Sequence, residues 1–329
     1  MRVAVTGATG HVGANVVRAL LAGGHEIRAL CRTGSNRAAL SGLDVDVAVG
    51  DVLDPSSLIS VFAGVDVVIN LAAIISVTGD PDGTVMRTNQ NGPRNVAAAC
   101  IECGVGRLVH VSSIHAFKAR DTDPFVDETT PPADETCFAY DRSKAAGEYE
   151  IRVAVGRGLD AVIVNPTGIM GPHDYQDSFA GQMLRDLFDG RLPALVGAGF
   201  DWVDVRDVAD AIVTAMNHGN TGENYLLSGT WASTKQVADI CQAVSGTPAP
   251  RFVLPVWIAL IGIPFLKAFS LITGQRPLYT YESLMILKHS NKDCRNGKAV
   301  RDLKFHVRPL HDTITDTYEW SKANGLIGN

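Results

Sequence analysis

The chain has 329 residues, which is long enough for two domains or for one large α/β domain with an added lobe. Apolar residues make up 46% and charged residues 19%, and this composition excludes a disordered chain. With 29 Lys and Arg against 35 Asp and Glu, the formal net charge is −6, so no overall basic field exists to attract nucleic acid.

The six cysteines lack the spacing of a disulfide framework, which favours a reducing compartment and a cytoplasmic location. Only Cys100 and Cys103 lie close together, and we interpret them as helix packing rather than as a redox pair or half a zinc site. The histidines show no metal-ligand spacing, so no metal is expected. The first predicted strand begins at Arg2 and leaves no room for a signal peptide.

One apolar segment, residues 252–272, raises the question of membrane contact. Pro255, Pro264 and Lys267 interrupt it, so a spanning helix of about 20 residues is not expected. Packing on the protein is favoured, with peripheral membrane contact as the alternative.

The first two-thirds of the chain alternate short β-rich runs with helical stretches, as parallel sheets with crossover helices do. Strands are predicted at residues 2–6, 26–31, 45–49, 66–70, 107–112 and 161–165. Helices are predicted at residues 11–21, 55–62 and 88–103. The predicted fold class is therefore α/β, a Rossmann-type doubly wound parallel sheet.

This alternation fails after Pro166. Residues 168–199 show no strand-helix rhythm and are predicted to leave the sheet, whereas residues 202–216 and 225–227 are predicted to return to it. The predicted division is a cofactor-binding domain of residues 1–168 and about 201–232, and a smaller substrate-binding lobe of residues 169–200 and 233–329. No internal repeat is found.

A glycine-rich turn follows the first predicted strand and opens the first predicted helix. Gly7 permits a tight turn, Gly10 lets the backbone approach a pyrophosphate at the helix N-terminus, and Gly13 permits close packing of helix on strand. The turn predicts a dinucleotide site formed by Gly7, Thr9, Gly10, His11, Val12 and Gly13.

The residues at the end of the second predicted strand indicate which of NAD(H) and NADP(H) is the cofactor. NAD-selective folds place an acidic side chain there to bind the ribose 2′-hydroxyl, but no carboxylate occurs between Arg28 and Arg37. Arg32, with Arg37 as the weaker candidate, is expected to pair with a 2′-phosphate, which favours NADP(H) over NAD(H). The alternative is that Arg32 is an ordinary surface arginine.

Further cofactor contacts are expected where the third and fourth predicted strands end, at Asp51 and Val52 and at Leu71, Ala72 and Ala73. Dinucleotides bind at this carboxyl edge of a parallel sheet. Asp51 is a candidate acceptor for the adenine amine, or else a turn-capping carboxylate. The small alanines let the backbone approach the ribose and pyrophosphate.

A serine, a tyrosine and a lysine carry the chemistry. Ser112 and Ser113 end the fifth predicted strand, and Tyr140 and Lys144 follow four residues apart, so they share one face of a helix. An ammonium near a tyrosine hydroxyl favours the phenolate. Lys144 is therefore expected to lower the pKa of Tyr140 from about 10 toward working pH and to make it a general acid or base.

Together these motifs resemble those of the extended short-chain dehydrogenase/reductases, within the NAD-dependent epimerase/dehydratase superfamily, over essentially the whole chain. The resemblance implies that Ser113, Tyr140 and Lys144 are catalytic and that Tyr140 and Lys144 also contact the cofactor. Asn89 resembles the family's structural and proton-relay asparagine. The segment beside the nicotinamide is matched by Asn165, Pro166 and Thr167.

Particular branches of the family are most similar. Residues 32–37 and 165–167 resemble dihydroflavonol-reductase-like and hydroxysteroid-dehydrogenase-like members. Tail motifs also resemble a hopanoid-associated epimerase-like branch, namely Leu254-Pro255-x-Trp257, Pro277-Leu278-Tyr279 and Arg308-Pro309-Leu310. These branches share a fold but differ in substrate.

Three functions remain open. The favoured one is an NADP-dependent carbonyl reductase or alcohol dehydrogenase for a small, apolar ketone, aldehyde or alcohol. The second is a nucleotide-sugar epimerase or dehydratase with retained NAD, which would need diphosphate-binding arginines in the lobe and an acid after the second strand. The third is a non-catalytic NADP-binding sensor, although such relatives typically lose the tyrosine or the lysine.

Candidate substrate residues follow strand ends: His115, Phe117, Met170 and Tyr175. Ordinary loop and core packing is the alternative for each of them. The resemblance also implies a possible homodimer through helices at residues 88–103 and 138–155.

Overall fold

The centre of the fold is a parallel sheet of short, buried strands. The computed structural model describes residues 1–273 and 279–328, but not the side chains of residues 265–273. Pro277 and Leu278 of the tail motifs lie outside the described residues. Within these residues, the large sheet has seven strands: β1 (Arg2–Thr6), β2 (Glu26–Cys31), β3 (Asp46–Val49), β4 (Val67–Asn70), β5 (Arg107–Val111), β6 (Ala161–Pro166) and β10 (Asn224–Leu227). Their order across the sheet is β10-β6-β5-β4-β1-β2-β3.

The strand order confirms the predicted doubly wound fold. The order reverses at β1, where the neighbours are β2 and β4, and ligands of such sheets bind in the crevice outside the strand ends at this point. Because all seven strands are parallel, the predicted site residues that follow β1, β2, β4, β5 and β6 lie along one edge.

Helices cover both faces of the large sheet. One face packs against α1 (His11–Ala22), α7 (Val205–Ala215) and α11 (Gly297–Leu303), and the other against α2 (Pro55–Phe62), α4 (Gly92–Cys103) and α5 (Ala139–Val155). Strand residues alternate between the two cores, as Val162 and Val164 on one side and Ile163 on the other.

The helix predicted at residues 88–103 is interrupted. A short helix, α3 (Thr84–Met86), leads into a π-helical turn, Arg87–Asn91, before α4 begins. Such turns recur at functional sites, and this one contains Asn89. Cys100 is buried in the core beside α2 and Cys103 donates to the carbonyl of Ile59, which confirms the packing interpretation of these cysteines.

Most of the remaining elements contribute to a second core. Two small sheets contain β7 (Gly168–Met170), β9 (Gly199–Asp204) and β11 (Thr230–Ser233), and β8 (Leu195–Val196) with β12 (Val253–Leu254). The helices are α6 (Phe179–Phe188), α8 (Thr234–Ser245), α9 (Val256–Thr273), α10 (Tyr281–Lys288) and α12 (Leu310–Ala323). Among the described residues, no helix is long and apolar enough to cross a membrane.

Two features of this region differ from expectation. Helix α6 lies within residues 168–199, where the sequence shows no strand-helix rhythm, and its N-cap is Ser178, whose Oγ accepts from the N–H of Gly181 at 3.0 Å. Helix α11, within residues 233–329, packs into the core of the large sheet through Ala299 and Leu303.

Candidate active site

The glycine turn between β1 and α1 forms a close-fitting backbone cradle. Gly7 has φ 67°, and a Cβ there would lie 2.8 Å from the carbonyl carbon of Leu71. A Cβ at Gly13 would lie 2.7 Å from Cα of Ala8. At the start of α1, Gly10 provides no side-chain cap, so the first-turn N–H groups of the helix have no side chain bound to them there. These features fit a pyrophosphate at the helix N-terminus.

The other predicted residues of the turn lie in two environments. The ring Nε2 of His11 is 3.1 Å from the carbonyl oxygens of Gly171 and Pro172, so His11 joins the turn to the loop after β7. Val12 packs against the core of the large sheet, and Thr9 is partly exposed at the turn.

The hydroxyl of Thr6 ties the turn to the end of β4. It accepts from the N–H groups of Leu71 at 3.2 Å and Ala72 at 3.1 Å, and it donates to Oδ1 of Asn70 at 2.6 Å. Ala73 is exposed beyond this contact. The structure thus places residues 71–73 directly beside the glycine turn.

The end of β2 presents two exposed arginines, Arg32 and Arg37. No ion pair in the described part of the chain joins either of them to a carboxylate, although many other arginines are paired. Such unpaired guanidinium groups at this edge fit a 2′-phosphate.

The two residues after β3 are tied into the protein. Oδ1 of Asp51 accepts from the N–H of Leu53 at 2.9 Å, so the carboxylate caps a turn. Val52 is buried, and its carbonyl accepts from Nδ2 of Asn95 at 3.0 Å. The capping role is the alternative raised for Asp51, and one carboxylate oxygen remains for a second contact.

Asn89 connects three parts of the site. Its Oδ1 accepts from the N–H of Ile74 at 2.8 Å, and its Nδ2 donates to the carbonyl of Ile74 and to Oγ of Ser143, both at 2.9 Å. Ser143 in turn donates to the carbonyl of Tyr140 at 2.6 Å. Asn89 therefore holds the loop after β4 against the first turn of α5, and its contact with Tyr140 runs through the backbone.

The three predicted catalytic residues meet where β5 ends and α5 begins. Ser113, Tyr140 and Lys144 are all more than nine-tenths buried. The Oγ of Ser113 accepts from the N–H of His115 at 3.2 Å and interacts with the Tyr140 hydroxyl. Lys144 donates from Nζ to the carbonyl of Val111 at 3.1 Å. The structure therefore brings these side chains together.

The pKa of Tyr140 shifts in the direction opposite to the one expected from the sequence. Burial raises the pKa of Tyr140 to about 12, the hydrogen-bonding interaction with Ser113 opposes this rise, and the negative charge of Asp141 adds to it. Burial also lowers the pKa of Lys144 to about 8, against the opposing effect of Glu148. The expectation of a lowered pKa for Tyr140 is wrong for this structure, because burial has the largest effect and raises the pKa.

Behind Ser113, Tyr140 and Lys144 lies a buried network that the sequence did not predict. Oε1 of Glu148 accepts from Nδ2 of Asn165 at 2.6 Å, and Oε2 accepts from Nδ2 of Asn224 at 2.9 Å and from Arg152 at 3.1 Å. Asn165 also donates to the carbonyl of Ser113 at 3.0 Å. The available signal was the four-residue spacing from Lys144 to Glu148, which places both on one helix face.

The side chains of the segment predicted to lie beside the nicotinamide are held by contacts within the protein. Asn165 is fully buried and holds the backbone of Ser113, and Pro166 pairs with Leu227 at the end of β6. Thr167 donates from Oγ1 to Oδ1 of Asp201 at 2.6 Å.

A cavity of about 330 Å³ lies next to the predicted catalytic residues, and its lining includes their sequence neighbours Ile114 and Asp141. Its walls come from the loop after β5, from the start of α5, from β9 and from α10, and they are mainly apolar or aromatic. The lining residues are Ile114, His115, Phe117, Ala119, Phe138, Asp141, Phe200, Asp201, Tyr281, Met285, Ile286, His289, Ser290, Asn291 and Cys294.

A histidine–aspartate pair beside Tyr140 forms part of the wall of this cavity. Nδ1 of His115 is 2.9 Å from Oδ1 of Asp141. The His115 ring lies edge-on to Tyr140 with centroids 5.5 Å apart, and it stacks on Phe200 at 6.2 Å. The carboxylate thereby fixes which ring nitrogen faces away toward the cavity.

The four candidate substrate residues separate into two pairs. His115 and Phe117 line the cavity. Met170 is instead buried in the second core, and Tyr175 packs on Trp320 at 5.2 Å and accepts from Arg18 at 3.2 Å. These placements favour core packing over a substrate role for Met170 and Tyr175. Within the described residues, no group of three or more metal-ligating side chains occurs.

Comparisons with known proteins agree with this geometry. The sequence model of the NAD dependent epimerase/dehydratase family matches residues 3–228. The chain is 34% identical to "Sterol demethylase protein B" of Methylococcus capsulatus, over 99% of this chain and 100% of that protein. It is 31% identical to "4-hydroxy-2-methyl-3-oxo-4-farnesyl-3,4-dihydroquinoline-1-oxide ketoreductase" of Stigmatella aurantiaca, over 69% of this chain and 68% of that protein.

A solved structure is similar over the whole length. The crystal structure of gox2253 superimposes with a TM-score of 0.86 at 31% identity, and it covers 99% of each chain.

Proposed function

Because the chain belongs to the NAD dependent epimerase/dehydratase family, an extended short-chain dehydrogenase/reductase family of NAD(P)-dependent enzymes, we propose that it is an NADP(H)-dependent oxidoreductase that interconverts a ketone and an alcohol on an apolar, multi-ring or terpenoid substrate. Residues 1–168 and about 201–232 bind the cofactor, and the rest provides most of the substrate lobe.

The observation that carries this proposal is the chemistry of the cavity beside Tyr140. Its lining, among the described residues, contains aromatic and aliphatic side chains and two carboxylates but no lysine or arginine. A nucleotide-sugar diphosphate would meet Asp141 and Asp201 there with no lysine or arginine to neutralise it. An uncharged carbonyl compound suits such walls, because it gains free energy from apolar burial.

Two arginines of the lobe, Arg185 and Arg191, give the same result. Arg185 pairs with Asp177 at 2.7 Å, and Arg191 pairs with Asp186 at 2.8 Å. If either arginine left its carboxylate partner to bind a diphosphate, that ion pair would be lost. This disfavours the nucleotide-sugar alternative.

The names of two relatives support the substrate class. One relative is named for sterol demethylation and the other for reduction of a ketone that carries a farnesyl chain. Both names describe apolar molecules of the size of sterols or terpenoids. We extend that class of substrate to this chain.

In the proposed reaction, the bound cofactor supplies or accepts the hydride. The Ser113 and Tyr140 hydroxyls donate hydrogen bonds to the substrate carbonyl, and Tyr140 transfers its proton to the oxygen as the alcohol forms. The raised pKa of Tyr140 keeps the phenol protonated at neutral pH, which suits a general acid. Lys144 holds the cofactor ribose, and retention of both residues disfavours a non-catalytic sensor.

Cofactor choice follows from Arg32. Its exposed guanidinium at the end of β2 and the absence of a nearby carboxylate in the sequence favour a 2′-phosphate. NADP(H) is therefore the proposed cofactor, with NAD(H) as the alternative.

The test is turnover with a substrate panel. Steroid, terpenoid and aromatic ketones are supplied with NADPH, and UDP- and dTDP-sugars are supplied with NAD⁺, with cofactor absorbance and product analysis as readouts. The proposal predicts NADPH oxidation with at least one apolar ketone. Conversion of a nucleotide sugar, with no turnover of any ketone, would replace it with the epimerase or dehydratase alternative.

A further inference from the structure

The lobe carries an exposed apolar surface, the apolar ridge, formed by Phe252, Val253, Trp257, Ile258 and Ile261. The exposed fractions of Phe252, Trp257 and Ile261 are 69%, 63% and 63%. The sequence from 252 to 264 contains no polar or charged side chain. Contiguous apolar surface of this kind marks an interaction site in soluble proteins, whereas single exposed apolar residues do not.

The polypeptide holds the ridge in a fixed position. Strand β12 pairs with β8, through bonds from the N–H of Leu195 to the carbonyl of Phe252 at 2.9 Å and from Gly197 to Leu254 at 2.8 Å. Helix α9 then begins directly after Pro255, whose carbonyl accepts from the N–H of Ile258 at 3.0 Å. The exposed side chains therefore stand on hydrogen-bonded backbone.

The exposed face of α9 is apolar along its first two turns. Trp257, Ile261 and Pro264 are spaced by four and three residues, share one helix face and are exposed. Val256, which precedes Trp257, and Ala259, which lies between Trp257 and Ile261, are partly covered by the protein. A helix at a water-facing surface normally turns its polar side outward, so this arrangement fits an apolar environment outside the protein.

Charge in the same stretch points to an anionic surface. Between Asp239 and Glu282 the sequence contains Arg251, Lys267 and Arg276 and no acidic residue, in a chain with 35 acidic residues overall. Arg251 is exposed next to Phe252. Apolar and aromatic side chains combined with cations are the composition of segments that lie in the headgroup region of a membrane.

We propose that the apolar ridge docks on the surface of a lipid bilayer that contains anionic lipid. The ridge lies on the bilayer rather than across it, since no described helix is long and apolar enough to span one. Helix α9 packs against α10, and Tyr281 and Met285 of α10 line the cavity beside the catalytic residues. The ridge and this cavity wall therefore belong to neighbouring helices, and docking of the ridge does not depend on which reaction the enzyme catalyses.

The experiment is co-sedimentation of the whole protein with phosphatidylcholine vesicles, with and without phosphatidylglycerol. We expect binding that is stronger with the anionic lipid and weaker at high salt. The double variant Trp257→Ser/Ile261→Ser should partition at least tenfold less, roughly what loss of two buried apolar side chains implies. Val300→Ser/Leu326→Ser, which removes two exposed apolar side chains elsewhere, is the matched control and should bind normally.

A second variant keeps the test decisive if the double variant does not fold. Trp257→Phe retains an apolar ring, so it should bind vesicles normally but lose the fluorescence quenching that brominated lipid causes in the unmodified protein. Unmodified protein that fails to bind either vesicle, or quenching unchanged in Trp257→Phe, overturns the proposal. Self-association in light scattering that the double variant abolishes, without vesicle binding, would assign the ridge to a second copy of the chain instead.

Discussion

Nδ1 of His115 lies 2.9 Å from Oδ1 of Asp141, and the pair faces the cavity beside the catalytic tyrosine. Asp141 acts on two neighbours at once. It orients the imidazole ring, and its negative charge raises the pKa of Tyr140.

Asp141→Asn should therefore move the pH profile of turnover. Loss of the charge makes the phenolate less unfavourable, so the pKa of Tyr140 falls and the alkaline limb for carbonyl reduction moves to lower pH. KM for the substrate should rise a few-fold, because His115 lines the cavity and loses the carboxylate that orients its ring. Asp46→Asn, at an exposed ion pair with Arg28, is the control, and the same shift there would contradict the role of Asp141.

Lys144→Met should weaken both turnover and cofactor affinity, since Lys144 is assigned to the ribose and sits beside Tyr140. Calorimetry with NADPH and steady-state kinetics measure the two effects. Unchanged cofactor affinity in a folded variant would contradict the assignment to the ribose.

The same substitution should stabilise the protein at neutral pH. Burial lowers the pKa of Lys144 from 10.5 to about 8, so between these values the unfolded chain binds more protons than the folded one and stability rises with pH. The cost of burying the ammonium is fully present below pH 8. Replacing Lys144 with Met removes this cost but also the bond to the Val111 carbonyl, so the free energy of unfolding at pH 7 should rise by less than about 3 kcal/mol. Urea titrations at pH 7 and pH 9.5 should show a smaller rise with pH in the variant.

Glu148→Gln should act through its neighbours. The negative charge of Glu148 raises the pKa of Lys144, so its loss should move the alkaline limb of cofactor binding to lower pH. Turnover should fall as well, because Asn165 holds the Ser113 backbone against this carboxylate. Glu150→Gln, on the same helix but paired with Arg94, should leave the pH profile in place. Equal shifts in both variants would assign Glu148 a purely structural role.

Arg32→Asp should reverse the cofactor preference. Pairing with a 2′-phosphate is worth roughly 10- to 150-fold in affinity, and a carboxylate would repel that phosphate and accept from a 2′-hydroxyl. Arg28→Ala, at a paired arginine of the same strand, is the comparison. Equal affinity of the unmodified protein for NADPH and NADH would contradict the proposed role of Arg32.

The sequence predicted those parts of the site that depend on local pattern. The strands, the glycine turn and the four-residue spacing of Tyr140 and Lys144 each arise from residues close together in the chain. Helix α6 was missed although Ser178 provided a capping signal, because glycine and aspartate around it resembled a loop.

The rest depends on burial and on pairs that are distant in sequence. The pKa of Tyr140 rises because neighbouring elements exclude water from the hydroxyl, and no spacing rule contains that information. Asn165 and Glu148 meet only when β6 packs against α5. Met170 follows a strand end, as a substrate residue would, yet its side chain points into the second core. The homodimer through α4 and α5 stays a prediction.

The central claim is that Tyr140 protonates an apolar ketone that NADPH reduces. The most direct test is NADPH oxidation with steroid, terpenoid and aromatic ketones by the unmodified protein and by Tyr140→Phe, which keeps the ring and removes the proton. We predict turnover by the unmodified protein and a loss of about 10²–10⁴-fold in the variant, with cofactor affinity little changed. Near-normal turnover by Tyr140→Phe would contradict this claim.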